Sequence, residues 1–173
     1  MTPAFTTSLL VLGGARSGKS RFAQAQAEMD SGNLVYIATA QAYDAEMADR
    51  ITRHQGDRGP RWQTVEAPLD LPHAIATHAA LGTVLLVDCL TLWASNILLA
   101  GHDQPAEIAA LTAAIAATPG KIILVSNEVG LGIVPDNALA RQFRDLAGDI
   151  NQAVARVAER AVFIVSGLPI PLK

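Results

Sequence analysis

The sequence predicts an α/β fold: a mostly parallel sheet flanked by helices and organised around a phosphate-binding loop. Three observations carry this. Five short apolar runs recur without polar alternation, the pattern of strands buried on both faces. Alanine-rich stretches with helical spacing lie between them, and strands alternating with helices imply parallel pairing. A glycine-rich turn ending in Gly-Lys-Ser follows the first run and opens a helical stretch.

The expected strands are Leu9–Leu12, Leu34–Ile37, Val84–Val87, Ile122–Val125 and Ala161–Val165, each rich in Val, Ile or Leu and bounded by turn residues. Ser20–Met29 reads as a helix starting at the phosphate loop, and Ala45–His54 as a second. Leu69–Ala80 is a third, with Pro72 in its first turn, where proline is tolerated. Leu90–Leu99 and Pro105–Ala117 follow, the latter stopping before Pro119-Gly120, and Ala138–Glu159 is the longest, weakened at Gly148. The 22 residues from Thr39 to Pro60 are polar and charge-dense, Gln55–Trp62 is turn-rich, and Pro135-Asp136-Asn137 marks another loop. In an α/β domain, excursions after a strand are where ligands are bound.

At roughly 100–200 residues per domain, 173 residues form a single domain, 1–173. Half the chain is hydrophobic and 17% is charged, which excludes a disordered chain. A net charge of −3 argues against a basic nucleic-acid surface, and one cysteine excludes a disulfide framework or a cysteine-rich zinc module. No apolar run approaches the ~20 residues of a membrane span. Met1–Ser8 has no signal-peptide pattern, so a cytoplasmic protein is expected.

Gly13-Gly14-Ala15-Arg16-Ser17-Gly18-Lys19-Ser20 fits G-x-x-x-x-G-K-[ST] between a strand and a helix. The glycines let backbone N–H groups turn toward phosphate oxygens, and the helix N-terminus adds partial positive charge. Lys19 would reach the β- and γ-phosphates, and the Ser20 hydroxyl would ligate Mg²⁺. Val84–Val87 ends in Asp88, placed to hold that Mg²⁺ or to cap the following helix. Glu128, after Ile122–Val125, is open between a base, a metal-shell acid and a loop or cap residue.

His73, His78 and His102 read as surface histidines, with no metal-ligand spacing. His54 differs. Arg50, Arg53, Arg58 and Arg61 surround it, four of the chain's 13 basic residues within a twelve-residue window. Like charge keeps an imidazole neutral, a neutral imidazole is a competent nucleophile, and arginines can hold a phosphate chain. On composition alone the cluster reads first as a solvated basic helix end with an incidental histidine, because charge runs are usually solvated faces.

The combined pattern runs from the phosphate loop through Tyr36–Ala40, Glu46-Met47, Arg50-Ile51 and His54 to Asp88–Thr91. It continues with Asn127–Pro135, Arg141–Gly148 and Val165-Ser166-Gly167. It closely resembles the bifunctional adenosylcobinamide kinase/adenosylcobinamide-phosphate guanylyltransferase family of cobalamin biosynthesis, nearly over the whole chain. The resemblance implies a recombinase-type P-loop fold and a homotrimer with sites near subunit boundaries. It implies phosphorylation of adenosylcobinamide by ATP or GTP, then transfer of GMP from GTP through a GMP-histidine intermediate at His54. GTP contacts would fall on Gly13–Ser20, on Ala38, Thr39 and Ala40, on Gln55, Gly56, Asp57 and Arg58, and on Glu66 and Asp88. Some relatives carry Glu where this chain has Asp88. The substrate would be the corrinoid and its phosphate, with neither nucleic acid nor a membrane span involved. Arg141 and Arg144 stand open between reaching phosphates and surface ion pairing.

Two other readings stand beside this one. A simple P-loop kinase leaves His54 without work. A GTPase switch lacks its guanine-reading Asn-Lys-x-Asp: residues 127–130 read Asn-Glu-Val-Gly, and the Asp-x-x-Gly at Asp145–Gly148 lies in a helical pattern.

Overall fold

The structure, a computed structural model, describes residues 7–41 and 59–173. Seven strands form one sheet: β1 (Ser8–Gly13), β2 (Asn33–Ala38), β3 (Trp62–Glu66), β4 (Thr83–Asp88), β5 (Lys121–Asn127), β6 (Arg160–Val165) and β7 (Leu168–Pro171). The described helices are α1 (Lys19–Glu28), α2 (Leu71–His78), α3 (Leu90–Leu99), α4 (Gln104–Ala116) and α5 (Ala138–Val157). The strand order is β3-β2-β4-β5-β1-β6-β7. All neighbours pair in parallel except β6 and β7, which form an antiparallel hairpin.

The five expected strands are all present, lengthened by one to three residues. The expected helices form with small shifts at their ends, except Ala45–His54, which lies outside the described residues. Gly148 does not interrupt α5, and Asp145–Gly148 falls inside it. Two strands escape the apolar-run criterion. β3 is polar and half exposed (Trp-Gln-Thr-Val-Glu), so the expected turn-rich segment ends where Trp62 begins a strand. β7 reads Leu-Pro-Ile-Pro, and proline removes ladder donors.

Alternating side chains of the central strands supply two cores. Leu10, Leu12, Leu85, Val87, Ile122 and Leu124 face α2 to α5, where Leu71, Trp93, Leu111, Ile150 and Val154 pack. Leu9, Val11, Leu34, Val84, Leu86 and Ile123 face the other way, onto Ala23 and Ala27 of α1. Both faces are covered, so β1, β4 and β5 bury nearly every residue. The polar positions at strand ends are therefore collected at one edge of the sheet.

Candidate nucleotide site

Parallel pairing places the C-terminal ends of β1 to β6 along one edge. Glu66 and Asp88 lie level with Ala38 on either side of it, and Asn127 lies opposite Gly13. Strands are spaced about 4.8 Å apart. Asp88 is two strands from Gly13, on the order of 10 Å across the sheet, and Glu66 is four strands away, about 19 Å. The edge is long enough for a phosphate chain at one end and another part of a ligand at the other.

The phosphate loop connects β1 to α1. Gly13 is obligatory, because a Cβ there would lie 2.5 Å from Ser17 Oγ and 2.9 Å from Ile164 O. Gly18 is the N-cap of α1 in a left-handed conformation, φ 93°, and no side chain caps the helix. No acidic residue occupies the first turn of α1. Its leading N–H groups therefore lack a side-chain acceptor and suit an anion. Lys19 is buried, and its ammonium donates to Gly14 O at 3.1 Å, within the loop it would use to hold phosphate. Ser17 Oγ is buried without a partner. Ser20 is half-buried at the start of α1, while Ala15 and Arg16 are exposed at the crest.

The tip of the β6–β7 hairpin closes over this loop. Ser166 and Gly167 both have left-handed backbones, φ 52° and 81°, the turn that fits hairpin twist. Gly167 N–H donates to Ser17 O at 2.8 Å. Together the two segments wall a cleft of about 610 Å³ that includes Arg16, Lys19 and Arg21.

At the end of β4 the capping alternative for Asp88 is corrected. The N-cap of α3 is Cys89, and no side chain caps that helix. Asp88 is instead half-buried at the C-terminal end of β4. Mg²⁺ is ordinarily held by one or two carboxylates or hydroxyls together with substrate phosphates, not by a protein cage. The donor set Ser20 and Asp88 fits that pattern.

Thr39 is fully buried and its hydroxyl is committed twice, donating to Cys89 O (2.7 Å) and accepting from Cys89 N–H (2.8 Å). Its carbonyl accepts from Asn96 Nδ2 at 2.8 Å. Thr39 thus ties β2 to β4 and offers no free polar group, while Ala38 is buried and Ala40 half-buried beside it. Glu66 is exposed and lines a cleft of about 430 Å³ with Asp70 and His73. His54, Gln55, Gly56, Asp57 and Arg58, with Arg50 and Arg53, lie outside the described residues. Arg61 is described, and donates to Asp30 O and Gly32 O.

The residues left open by the sequence make local contacts. Glu128 Oε1 accepts Gly130 N–H at 2.6 Å, a loop role. Arg141 donates to Pro135 O and Asp136 O, holding the loop before α5, and Arg144 makes a long ion pair with Asp145 at 3.5 Å. His102 pairs with Glu107 at 2.8 Å.

Sequence reasoning missed the polar network behind the edge. Ser126 Oγ donates to Asn151 Oδ1 (2.6 Å), Asn127 N–H to Thr91 Oγ1 (2.7 Å), and Asn151 Nδ2 to Asn127 O (3.2 Å). Asn96 spans Thr39 O and Pro68 O at 2.8 Å each. The available signal was a small polar residue within each apolar helix or strand, since a buried polar group must find partners.

Comparison with known proteins follows the same lines. A family model described as cobinamide kinase/cobinamide phosphate guanyltransferase matches residues 9–172. The chain is 50% identical over 166 residues to the Pseudomonas aeruginosa protein named bifunctional adenosylcobalamin biosynthesis protein CobP, covering 95% of this chain and 96% of that one. It is 42% identical over 180 residues to the Salmonella typhimurium protein named CobU, covering 95% and 99%. Among solved structures, a Pyrococcus horikoshii OT3 protein superposes with TM-score 0.60 at 10% identity, covering 98% of this chain and 88% of that one. An ATPase of a type III secretion system superposes with TM-score 0.58 at 12% identity, covering 91% and 50%. At these identities the structural likenesses show a shared fold alone.

Proposed function

Because this chain belongs to the cobinamide kinase/cobinamide phosphate guanyltransferase family of cobalamin biosynthesis, we propose that it carries out two successive reactions. The first moves the γ-phosphoryl group of ATP or GTP onto the hydroxyl of adenosylcobinamide: an O–P bond forms, the β–γ bridge breaks, and nucleoside diphosphate and a proton leave. In the second, a ring nitrogen of His54 attacks the α-phosphorus of GTP and expels pyrophosphate. The phosphate of adenosylcobinamide phosphate then attacks that phosphorus. The P–N bond breaks, His54 is freed, and adenosylcobinamide-GDP is formed.

The observation that carries this reading is the phosphate loop at the sheet edge, with Lys19 and the uncapped first turn of α1 facing the space an anion would fill. Fixed donors of this kind stabilise charge that develops on a departing phosphate. Ser20 and Asp88 would hold Mg²⁺, which when bound neutralises phosphate charge. Ala38, Ala40 and Glu66 lie further along the edge, where the rest of the GTP would extend. Gln55, Gly56, Asp57 and Arg58 follow His54 and would contact the same nucleotide. Thr39 serves by holding Ala38 and Ala40 in place. One domain would carry both steps, as a cytoplasmic homotrimer with corrinoid as the only other partner. No helix among the described residues is long and apolar enough to cross a membrane.

The test separates the steps. Incubation with GTP, intact mass and peptide mapping should find an acid-labile GMP adduct on His54, as expected of a phosphoramidate. His54→Ala should abolish guanylyl transfer and retain cobinamide phosphorylation, because the kinase step needs only positioning and charge stabilisation. Lys19→Ala should slow both by about 10²–10³-fold. An adduct elsewhere, or transfer surviving in His54→Ala, contradicts the nucleophile. A folded wild type that phosphorylates cobinamide without any adduct is the simple kinase instead.

A further inference from the structure

Residues 128–137 run from β5 to α5 at the same edge as the phosphate loop. The segment is held at both ends. Glu128 N–H donates to Gly13 O at 3.1 Å, Arg141 grips Pro135 O and Asp136 O at 2.9 Å each, and Asn137 Oδ1 accepts Ala140 N–H at 2.8 Å. Apolar side chains on so firmly held a segment would be expected to turn inward. Instead Leu131 is 83% exposed and Ile133 98%, with Val129, Val134 and Leu139 also exposed. No residue from Val129 to Pro135 carries a charge. An apolar patch of this kind marks a binding surface.

We propose that Leu131, Ile133 and Val134 seat the apolar rim of the corrin macrocycle, a placement that rests on the kinase reading above. The acceptor hydroxyl must come within about 3–3.5 Å of the γ-phosphorus. The body of the substrate must therefore lie just outside the phosphate loop. On one side that space is walled by the β6–β7 tip with Arg16 and Arg21, a cationic wall suited to the phosphate chain. On the other side is this neutral apolar loop, joined to Gly13 by a hydrogen bond, and a broad methyl-fringed ring is complementary to it. A second copy of the chain is the competing occupant.

The double variant Leu131→Asn/Ile133→Asn tests this, since neither side chain belongs to the core. Three quantities decide: cobinamide binding by equilibrium dialysis, the KM values for cobinamide and GTP in the kinase reaction, and solution mass by light scattering. Loss of two Leu/Ile contacts should weaken cobinamide binding and raise its KM by about tenfold or more, with the GTP KM and the mass unchanged. Unchanged cobinamide affinity overturns the proposal. So does a fall in mass accompanied by shifts in both KM values, which would assign the loop to a second copy. A wild type that binds cobinamide through these residues yet fails to phosphorylate it would overturn the kinase reading alone.

Discussion

Cys89 is sealed against the end of β4, and its backbone is clamped on both sides by the Thr39 hydroxyl. Burial, reinforced by the neighbouring Asp88 carboxylate, pushes its thiol up from 9.0 to about 11. The thiolate is the reactive form, so at pH 8 the folded protein should resist alkylation and label fully only when unfolded in urea; stoichiometric labelling of native protein would contradict the burial. The sign of the linkage follows. The unfolded thiol ionises first, so this contribution to stability is intact below about pH 9 and is lost as pH rises toward 11. Residues of this scale divide in how readable they were. Lys19, Ser20 and Asp88 declare themselves by motif and position. Thr39 was expected to touch nucleotide, whereas its hydroxyl clamps Cys89, a pairing hidden from the sequence because the partner is 50 residues away and only the finished sheet brings them together.

The elements that the sequence concealed are the two whose residues contradict a buried strand. β3 is polar because it lies at the sheet margin with one face toward solvent. β7 contains two prolines because its outer side forms no ladder. Yet the β6–β7 hairpin reaches the phosphate loop through Gly167. A Cβ at Gly167 meets nothing closer than Arg21 Nη2 at 3.8 Å, so substitution there acts through backbone conformation alone. A left-handed backbone costs a residue with Cβ about 1–2 kcal/mol, and Asn tolerates it best. Gly167→Val should therefore lower Tm by several degrees, at about 2–4 °C per kcal/mol, and raise the nucleotide KM several-fold. Gly167→Asn should restore both. A KM that stays put while Tm falls would make the hairpin a stabilising element without influence on the nucleotide.

At the scale of the molecule, the sheet ends at β7 without inviting a neighbour. Leu172 N–H bonds back to Ala161 O, and ladder bonds alternate, so Pro169 and Pro171, opposite Ile164 and Val162, face outward where they deny a donor to any added strand. Pro169→Val with Pro171→Thr should produce concentration-dependent association seen by light scattering, without loss of the native circular dichroism; a variant as monodisperse as the wild type would show the prolines to be idle. The overall architecture was legible because two-sided burial writes itself into the sequence as unbroken apolar runs. The strand order was not, because it depends on which runs meet across 100 or more residues. That order has a temporal side. β1, which precedes the other described strands in the chain, lies between β5 and β6, whose residues come from 121–127 and 160–165. A growing chain therefore carries the apolar β1 without either neighbour until β5 is made, and without β6 until residue 165. Non-local pairing of this kind is slow and exposes unpaired edges, so the phosphate-binding turn, though encoded near the start, acquires its shape among the last events of folding.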